Sequence, residues 1–224
     1  AYDQGLGVDA DPDKAVHWYT RAAEQGYVPA MLSLASIYEN GDLGVSRSKA
    51  TAQDWYDRAF SITEEAALAG DRDAAYMVAT FYRRGLGRST SPSQVLHWLH
   101  RAAELGDAKA CVELSRLYST GRDVMRDPDE AYRLITVAAE QGDGEGQYLL
   151  ARLYDEGDYV DRDYARAYEL YCLAAEAGYR PARVLKEEME VTLDPAVVRR
   201  ARASAEATLR ARQLAGGDVR ALND

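Results

Sequence analysis

The sequence is poor in the residues that most often carry chemistry. It holds two cysteines and three histidines in 224 residues. Cys111 and Cys172 are too few for a disulfide framework, and their places in different repeats predict two free thiols. His97 and His100 stand three apart, with Glu104 one turn on, the one spacing that could hold a metal. His17 and His97, however, each stand directly before a tryptophan in equivalent segments, which makes them features of a repeat. No metal, cofactor or catalytic constellation is expected, because no base accompanies either thiol. No run of eighteen apolar residues occurs, so no segment spans a membrane as a helix. Basic residues are outnumbered 27 to 37, and the net charge of −10 argues against nucleic-acid partners. There is no Asn-x-Ser/Thr acceptor. The chain starts at Ala1 without a signal peptide, in what reads as a truncated first repeat, so the compartment stays open.

What the chain does have is self-similarity, the first feature to seek. Ala30, Ala74, Ala110, Gly146 and Ala182 open five short runs, the last three steps being 36 residues each. Eight positions on from the first four stand Tyr38, Tyr82, Tyr118 and Tyr154. Three further stand Gly41, Gly85, Gly121 and Gly157. Tyr2 and Gly5 fit the same register.

A second run follows each glycine: "DPDKAVHWYTRAAEQG", "SPSQVLHWLHRAAELG", "DPDEAYRLITVAAEQG" and "DYARAYELYCLAAEAG". Asp11, Ser91 and Asp127 are N-cap residues, able to accept from an orphan N–H of the first turn. Pro12, Pro92 and Pro128 follow at the first helical position, where a missing N–H costs nothing. Gly26, Gly70, Gly106, Gly142 and Gly178 close the second helix in the left-handed region. Each repeat is thus a hairpin of helix A and helix B, with no strand.

The apolar spacing agrees. Ala30, Leu34, Ile37 and Tyr38 share a face of one helix A; Ala15, Trp18, Tyr19 and Ala22 share a face of one helix B. A lone hairpin cannot bury both faces, but stacked neighbours can. Small residues at one A position (Ala35, Ala79, Ser115, Ala151) let A helices approach closely. Trp18, Trp55 and Trp98 hold B helices further apart and read as core, each burial contributing about 2–3 kcal/mol. The expected fold is all-α: a right-handed α-solenoid of helix-turn-helix repeats of about 36 residues, with A helices on the concave side.

Two stretches break the pattern. Trp55 lies seven residues further from its closing glycine than Trp18 does, placing an insertion near 57–66. Seven residues make nearly two turns, so the apolar face is kept on both sides. An overlong helix or a break near Ser61–Thr63 is expected; the insertion reads as neutral drift or, alternatively, as a protruding contact ridge that includes Phe60, Ile62, Glu64 and Glu65. Residues 191–224 lose the tyrosine–glycine register and read as a capping helix opened by Asp194-Pro195, ending in a flexible tail. Its buried stripe is expected at Ala196, Val197, Ala201, Ala205, Thr208 and Leu209. Its basic outer face is expected at Arg199, Arg200, Arg202, Arg210 and Arg212. The "GLG" pieces at Gly5–Gly7 and Gly85–Gly87 follow no strand and lack the Lys-Ser/Thr of a phosphate loop, so they are turns.

The unit A-x-x-x-L-A-x-x-Y-x-x-G, then K-A-x-x-W-Y-x-x-A-A-E-Q-G, resembles the Sel-one-like repeat family, relatives of tetratricopeptide repeats. The resemblance covers about residues 2–190, with Gly146 replacing the opening alanine and Leu134 and Leu170 replacing the tryptophan. It implies a non-enzymatic adaptor or scaffold, of the kind found in bacterial envelope, secretion or polysaccharide-assembly systems, with periplasm or envelope favoured over cytoplasm. A cytoplasmic signalling regulator of the same fold is the alternative. A third reading follows cysteine-rich relatives linked to β-lactam hydrolysis. Those relatives carry paired cysteines in each repeat, and this chain does not.

If packing fixes the core positions, positions that change type between repeats are free to specialise. In helix A these are Ser33, Met77, Glu113 and Leu149; Ser36, Thr80, Arg116 and Arg152; and Asn40, Arg84, Thr120 and Glu156. They form one stripe per helix, expected on the concave side, where a peptide, helix or domain of a protein partner would bind.

Overall fold

The computed structural model describes residues 11–221, with side chains to residue 214. Tyr2, Gly5 and the first "GLG" turn lie outside the described residues. Eleven helices make up the described chain, which contains no strand. It divides into two units, Ala1–Gly106 and Asp107–Asp224.

The first unit contains α1 (Pro12–Glu24), α2 (Val28–Asn40), α3 (Lys49–Leu68), α4 (Arg72–Arg84) and α5 (Pro92–Glu104), each packed on the next. The second contains α6 (Ala108–Thr120), α7 (Pro128–Glu140), α8 (Gly144–Glu156), α9 (Tyr164–Glu176), α10 (Arg180–Thr192) and α11 (Pro195–Ala221). There α6 to α10 pack in chain order, and α11 returns onto α9.

Punctuation sets the hairpins. Asp11, Ser91 and Asp127 cap α1, α5 and α7 as expected, accepting from Lys14, Gln94 and Glu130 N–H. Ser48, Asp71, Asp107, Asp143 and Asp163 cap five further helices in the same way. All six prolines occupy the first or second position of a helix, where a lost donor is harmless. Helices α2, α4, α6 and α8 each end on a left-handed glycine (Gly41, Gly85, Gly121, Gly157), the conformation only glycine adopts without cost.

The insertion is resolved as one unbroken helix. Helix α3 has 20 residues and buries Ala52, Tyr56, Ala59, Phe60, Thr63 and Ala67 along one face. Phe60 belongs to the core and not to the expected ridge: its ring meets Phe81 and Tyr82 edge-on, with centroids 5.5 and 5.6 Å apart. Ile62 and Glu65 are exposed. The two added turns continue the contact with α4, where Thr63 lies 3.9 Å from the Met77 sulfur.

The tryptophans are not equivalent. Trp98 is 5% exposed, as core packing requires, but Trp18 is 51% exposed. Helix α1 packs mainly on α2 among the described residues, whereas α3 lies between α2 and α4. Trp18 is instead flanked by the Arg21 guanidinium, 5.2 Å from its centroid, and the edge of His17.

Helix α10 departs from the repeat pattern. At the A positions filled by Met31, Ala75, Cys111 and Gln147, α10 carries Arg183. Where Leu34, Val78, Leu114 and Leu150 are buried, it carries Lys186; where the small residues stand, it carries Glu187. Arg183 and Glu187 are exposed, and Lys186 is half-buried and pairs with Glu190 at 3.5 Å. Meanwhile α9 buries Cys172 and Leu173 at positions held elsewhere by His100 and Arg101. That apolar outer face receives α11, through Ala201 and Ala205. Ala196, expected in the buried stripe, is exposed. Arg199, Arg200, Arg202 and Arg210 are exposed, as expected of an outer face, and Arg212 is half-buried; Arg202 and Arg212 nonetheless reach back to the repeats. Arg202 bonds the Tyr168 hydroxyl at 3.0 Å and the Glu190 carboxylate at 2.8 Å. Arg212 donates to the carbonyls of Ala139 and Glu140 at the C-terminal end of α7. The backbone of α11 is helical through Ala221.

Candidate protein-binding surface

Each A helix leaves C-terminal carbonyls without intrahelical partners, and the loops answer with arginine. Arg47 Nε donates to the Glu39 carbonyl at 2.8 Å, Arg126 Nε to the Ser119 carbonyl at 3.0 Å, and Arg162 Nη2 to the Glu156 carbonyl at 2.7 Å. Each of these arginines packs its Cβ over the cap glycine of the preceding helix. Its sequence signal is Val-x-Arg-Ser/Asp just before the N-cap: Val45–Ser48, Val124–Asp127 and Val160–Asp163. In the α4–α5 loop Thr90 takes this place over Gly85, and Arg88 is released to another task.

Between these loops and the start of helix B the fold builds a crevice, and it builds it twice in the same register. In the first unit a cavity of about 470 Å³ is lined by Glu39, by Lys49, Ala52, Gln53 and Tyr56 of α3, and by Arg84 to Ser89. In the second unit a cavity of about 390 Å³ is lined by Ser119, by Pro128, Ala131, Tyr132 and Ile135 of α7, and by Glu156, Asp158 and Tyr159, with Leu149, Arg152 and Leu153 alongside. Lys49 and Pro128 both open helix B; Ala52 and Ala131, Gln53 and Tyr132, and Tyr56 and Ile135 then correspond one to one.

The walls of the first crevice are held by close contacts. Gly87, at φ +65°, brings its backbone against α3 so closely that a Cβ there would lie 2.4 Å from the Tyr56 Cβ. Gln53 Nε2 donates to the Gly87 carbonyl at 2.7 Å. Arg88 lies 4.1 Å from the Phe60 ring centre and 3.2 Å from Asp57. The Tyr56 hydroxyl donates to Glu39 at 3.0 Å, and burial, then that carboxylate, push its pKa up to about 12.

The second crevice has an apolar floor of Ile135, Leu149 and Leu153 under a rim of arginine and tyrosine. The Tyr132 and Tyr154 hydroxyls are 3.0 Å apart, and that bond, followed by burial, raises the Tyr154 pKa. Tyr159 packs its ring 5.5 Å from Tyr132 and donates to Asp129. Arg152 Nε donates to Glu156 at 2.7 Å, and Arg116 pairs with Glu145 of α8.

The sequence stripe is divided between these places. Arg116, Leu149, Arg152 and Glu156 come together in the second crevice, and Arg84 lines the first. Met77 is half-buried against Thr63. Ser33 and Thr80 bond back to the carbonyls of Pro29 and Tyr76, and Thr120 to that of Arg116. Asn40 reaches Asp42 at 3.2 Å and Ser36 at 3.5 Å. Glu113 is half-buried on α6. Lys49, Gln53, Arg88, Tyr132 and Tyr159 were not in the stripe, because they stand on helix B or in loops while the stripe follows helix A. The thiols of Cys111 and Cys172 are free and buried, and burial raises both pKa values, which keeps them protonated and weakly nucleophilic.

The Sel1 repeat family model matches five segments, 1–27, 28–61, 72–107, 108–143 and 144–179. Chitin synthase regulatory factor 3 of Schizosaccharomyces pombe is 35% identical over 104 residues, 46% of this chain and 10% of that protein. This chain therefore spans about a tenth of the length of that curated relative. Among solved structures, a Sel1 repeat protein from Oxalobacter formigenes is 34% identical with a TM-score of 0.54, covering 78% of this chain and 69% of its own. A protective antigen of uropathogenic Escherichia coli strains, displaying an SLR fold, is 26% identical with a TM-score of 0.53, covering 92% and 51%.

Proposed function

Because this chain belongs to the Sel1 repeat family, we propose that it is a non-enzymatic scaffold that binds protein partners along its A helices and inter-repeat crevices. The observation that carries this reading is the contrast between constant and variable positions. The core alanines, tyrosines and cap glycines recur from repeat to repeat, while the crevice linings do not: Lys49 answers to Pro128, Tyr56 to Ile135 and Arg84 to Glu156. A fold that repeats its frame and varies its recesses is suited to recognising different segments of one partner, or several partners.

The finer reading places this scaffold in a bacterial envelope, secretion or polysaccharide-assembly system, in the periplasm or envelope. A regulatory adaptor in the cytoplasm is the second reading, and the yeast relative favours it, being named as a regulatory factor of a chitin synthase. The two share the fold and differ in compartment, so cell fractionation with an antibody to the native protein separates them.

A photo-crosslinking residue at position 152, activated in cells, tests the scaffold reading. A discrete adduct with another protein is expected, lost when Leu149→Asp is added. No protein adduct, together with turnover of nitrocefin or another substrate by the purified chain, would overturn it in favour of an enzyme.

A further inference from the structure

The two crevices share a register but differ in lining. The second has an apolar floor, with Arg116, Arg126 and Arg152 set against Glu156 and Asp158; the first is lined by Lys49, Arg84 and Arg88 with Glu39 on its wall, and Asp57 behind pairs with Arg88. That acid already accepts the Tyr56 hydroxyl. Arg88 is positioned by Asp57 and the Phe60 face, while Lys49 and Arg84 are exposed. In a chain with a net charge of −10, this recess keeps two exposed cations, Lys49 and Arg84, at its mouth over an interior that is polar and not apolar.

We propose that the crevice formed by Lys49, Gln53, Arg84 and Arg88 binds an acidic segment of a protein partner, through side-chain carboxylates. The proposal rests on the scaffold reading and deepens it. Three observations narrow the ligand. Guanidinium and ammonium groups converging on a recess of this size complement carboxylates and give an acidic chain charge-assisted hydrogen bonds. Glu39 on the wall disfavours a dianionic phosphate by repulsion, while singly charged carboxylates can be spaced around it. The molecule also holds an internal precedent with the opposite sign. On α9 the residue equivalent to Gln53 and Tyr132 is Tyr168, and beside it the Glu190 carboxylate receives Arg202 from α11. The same register position thus already takes the charged side chain of an incoming segment.

The test is fluorescence anisotropy with two labelled peptides, Gly-Glu-Asp-Leu-Glu-Asp-Gly and its counterpart with lysine at each acidic position. The intact chain is expected to bind the acidic peptide, more weakly as salt rises, and not the basic one. Lys49→Ala with Arg84→Ala, both at exposed sites that leave the core unchanged, is expected to weaken binding about tenfold or more. Leu149→Asp, in the other crevice, is expected to leave it unchanged. Circular dichroism checks that both variants stay folded. Equal binding of the two peptides, no binding of the acidic one, or an unchanged affinity in the double variant overturns the assignment. Displacement by inorganic phosphate well below the chloride concentration of equal ionic strength also overturns it, in favour of a free-anion site. A failure here leaves the crosslinking result at position 152 standing, so loss of this crevice and loss of the scaffold reading are distinguishable.

Discussion

A Cβ on Gly146 would lie 2.8 Å from the Cβ of Ala138. Alanine opens the A helix of every other repeat, yet here the preceding helix comes so close that alanine does not fit. The same Cβ would meet the Ala138 carbonyl carbon and the Ala139 nitrogen at 3.0 Å, so relief requires backbone movement. Gly146→Ala restores the repeat consensus and gains about 1 kcal/mol of helix propensity. The clash costs about 1–3 kcal/mol. The expected outcome is net destabilisation of up to about 2 kcal/mol, read as a lower urea midpoint at unchanged slope; a stabilised variant would refute the close approach of α7 and α8.

Glu190 stands where the other repeats carry tyrosine, and it makes the latch for α11. Its carboxylate accepts the Tyr168 hydroxyl at 2.8 Å and pairs with Arg202 at 2.8 Å and Lys186 at 3.5 Å. The Tyr168 bond, then the two cations, lower its pKa from the ordinary 4.5. A depressed folded-state pKa means that the contribution is present above the unfolded value and lost as pH falls through the folded one. Release of α11 is therefore expected below about pH 4.5, seen as faster amide exchange in residues 195–212 than in α6 to α8. Arg202→Ala weakens the latch at neutral pH by about 0.5–1.5 kcal/mol, and trypsin cleavage after Arg199 and Arg200 should accelerate.

Tyr56 gives the opposite dependence. Its folded-state pKa is raised from 10 to about 12, by burial first and Glu39 second. A raised pKa makes its contribution complete below the unfolded value and lost as pH rises through the folded one. Thermal stability should fall between about pH 10 and 12, and Tyr56→Phe should flatten that fall in part, since burial raises the Tyr168 and Tyr171 pKa values as well. Absorbance at the phenolate band, compared between the two proteins, assigns the high-pH component; identical titrations would remove Tyr56 from it.

The hairpin boundaries were legible because capping is local. Asp11, Ser91 and Asp127 followed by proline, and glycine at each helix end, are decided within a few residues. The unbroken α3 was legible in its arithmetic, since seven residues return the same face, but Phe60 was misplaced because the ring contacts with Phe81 and Tyr82 are not written in α3 itself. The crevices were harder to see: they join the end of one A helix, the start of a B helix and the next loop, residues more than thirty apart, as Gln53 and Gly87 are. The docking of α11 was half-written. Cys172 and Leu173 on the outer face of α9 mark a covered surface, but the pairing of Arg202 depends on Glu190 replacing a tyrosine on a different helix.

Trp18 and Trp98 occupy one repeat position and should answer differently to the same substitution. Trp98 is buried to 5%, and its removal opens a cavity that neighbouring helices cannot fill; Trp98→Ala is expected to cost about 3–5 kcal/mol. Trp18 is half exposed, with one ring face shared with Arg21, so Trp18→Ala loses the buried half of the ring surface and a cation–π pair. A loss of about 1–2 kcal/mol is expected there. Intrinsic fluorescence gives a second readout from the same proteins. Iodide should quench the tryptophan emission of the wild type through Trp18, and Trp18→Ala should remove most of the quenchable fraction while Trp98→Ala leaves it. If the two substitutions prove equally costly and Trp18 is shielded from iodide, then α1 is covered in solution by a further element, and the position regains the core role that its repeat register assigns.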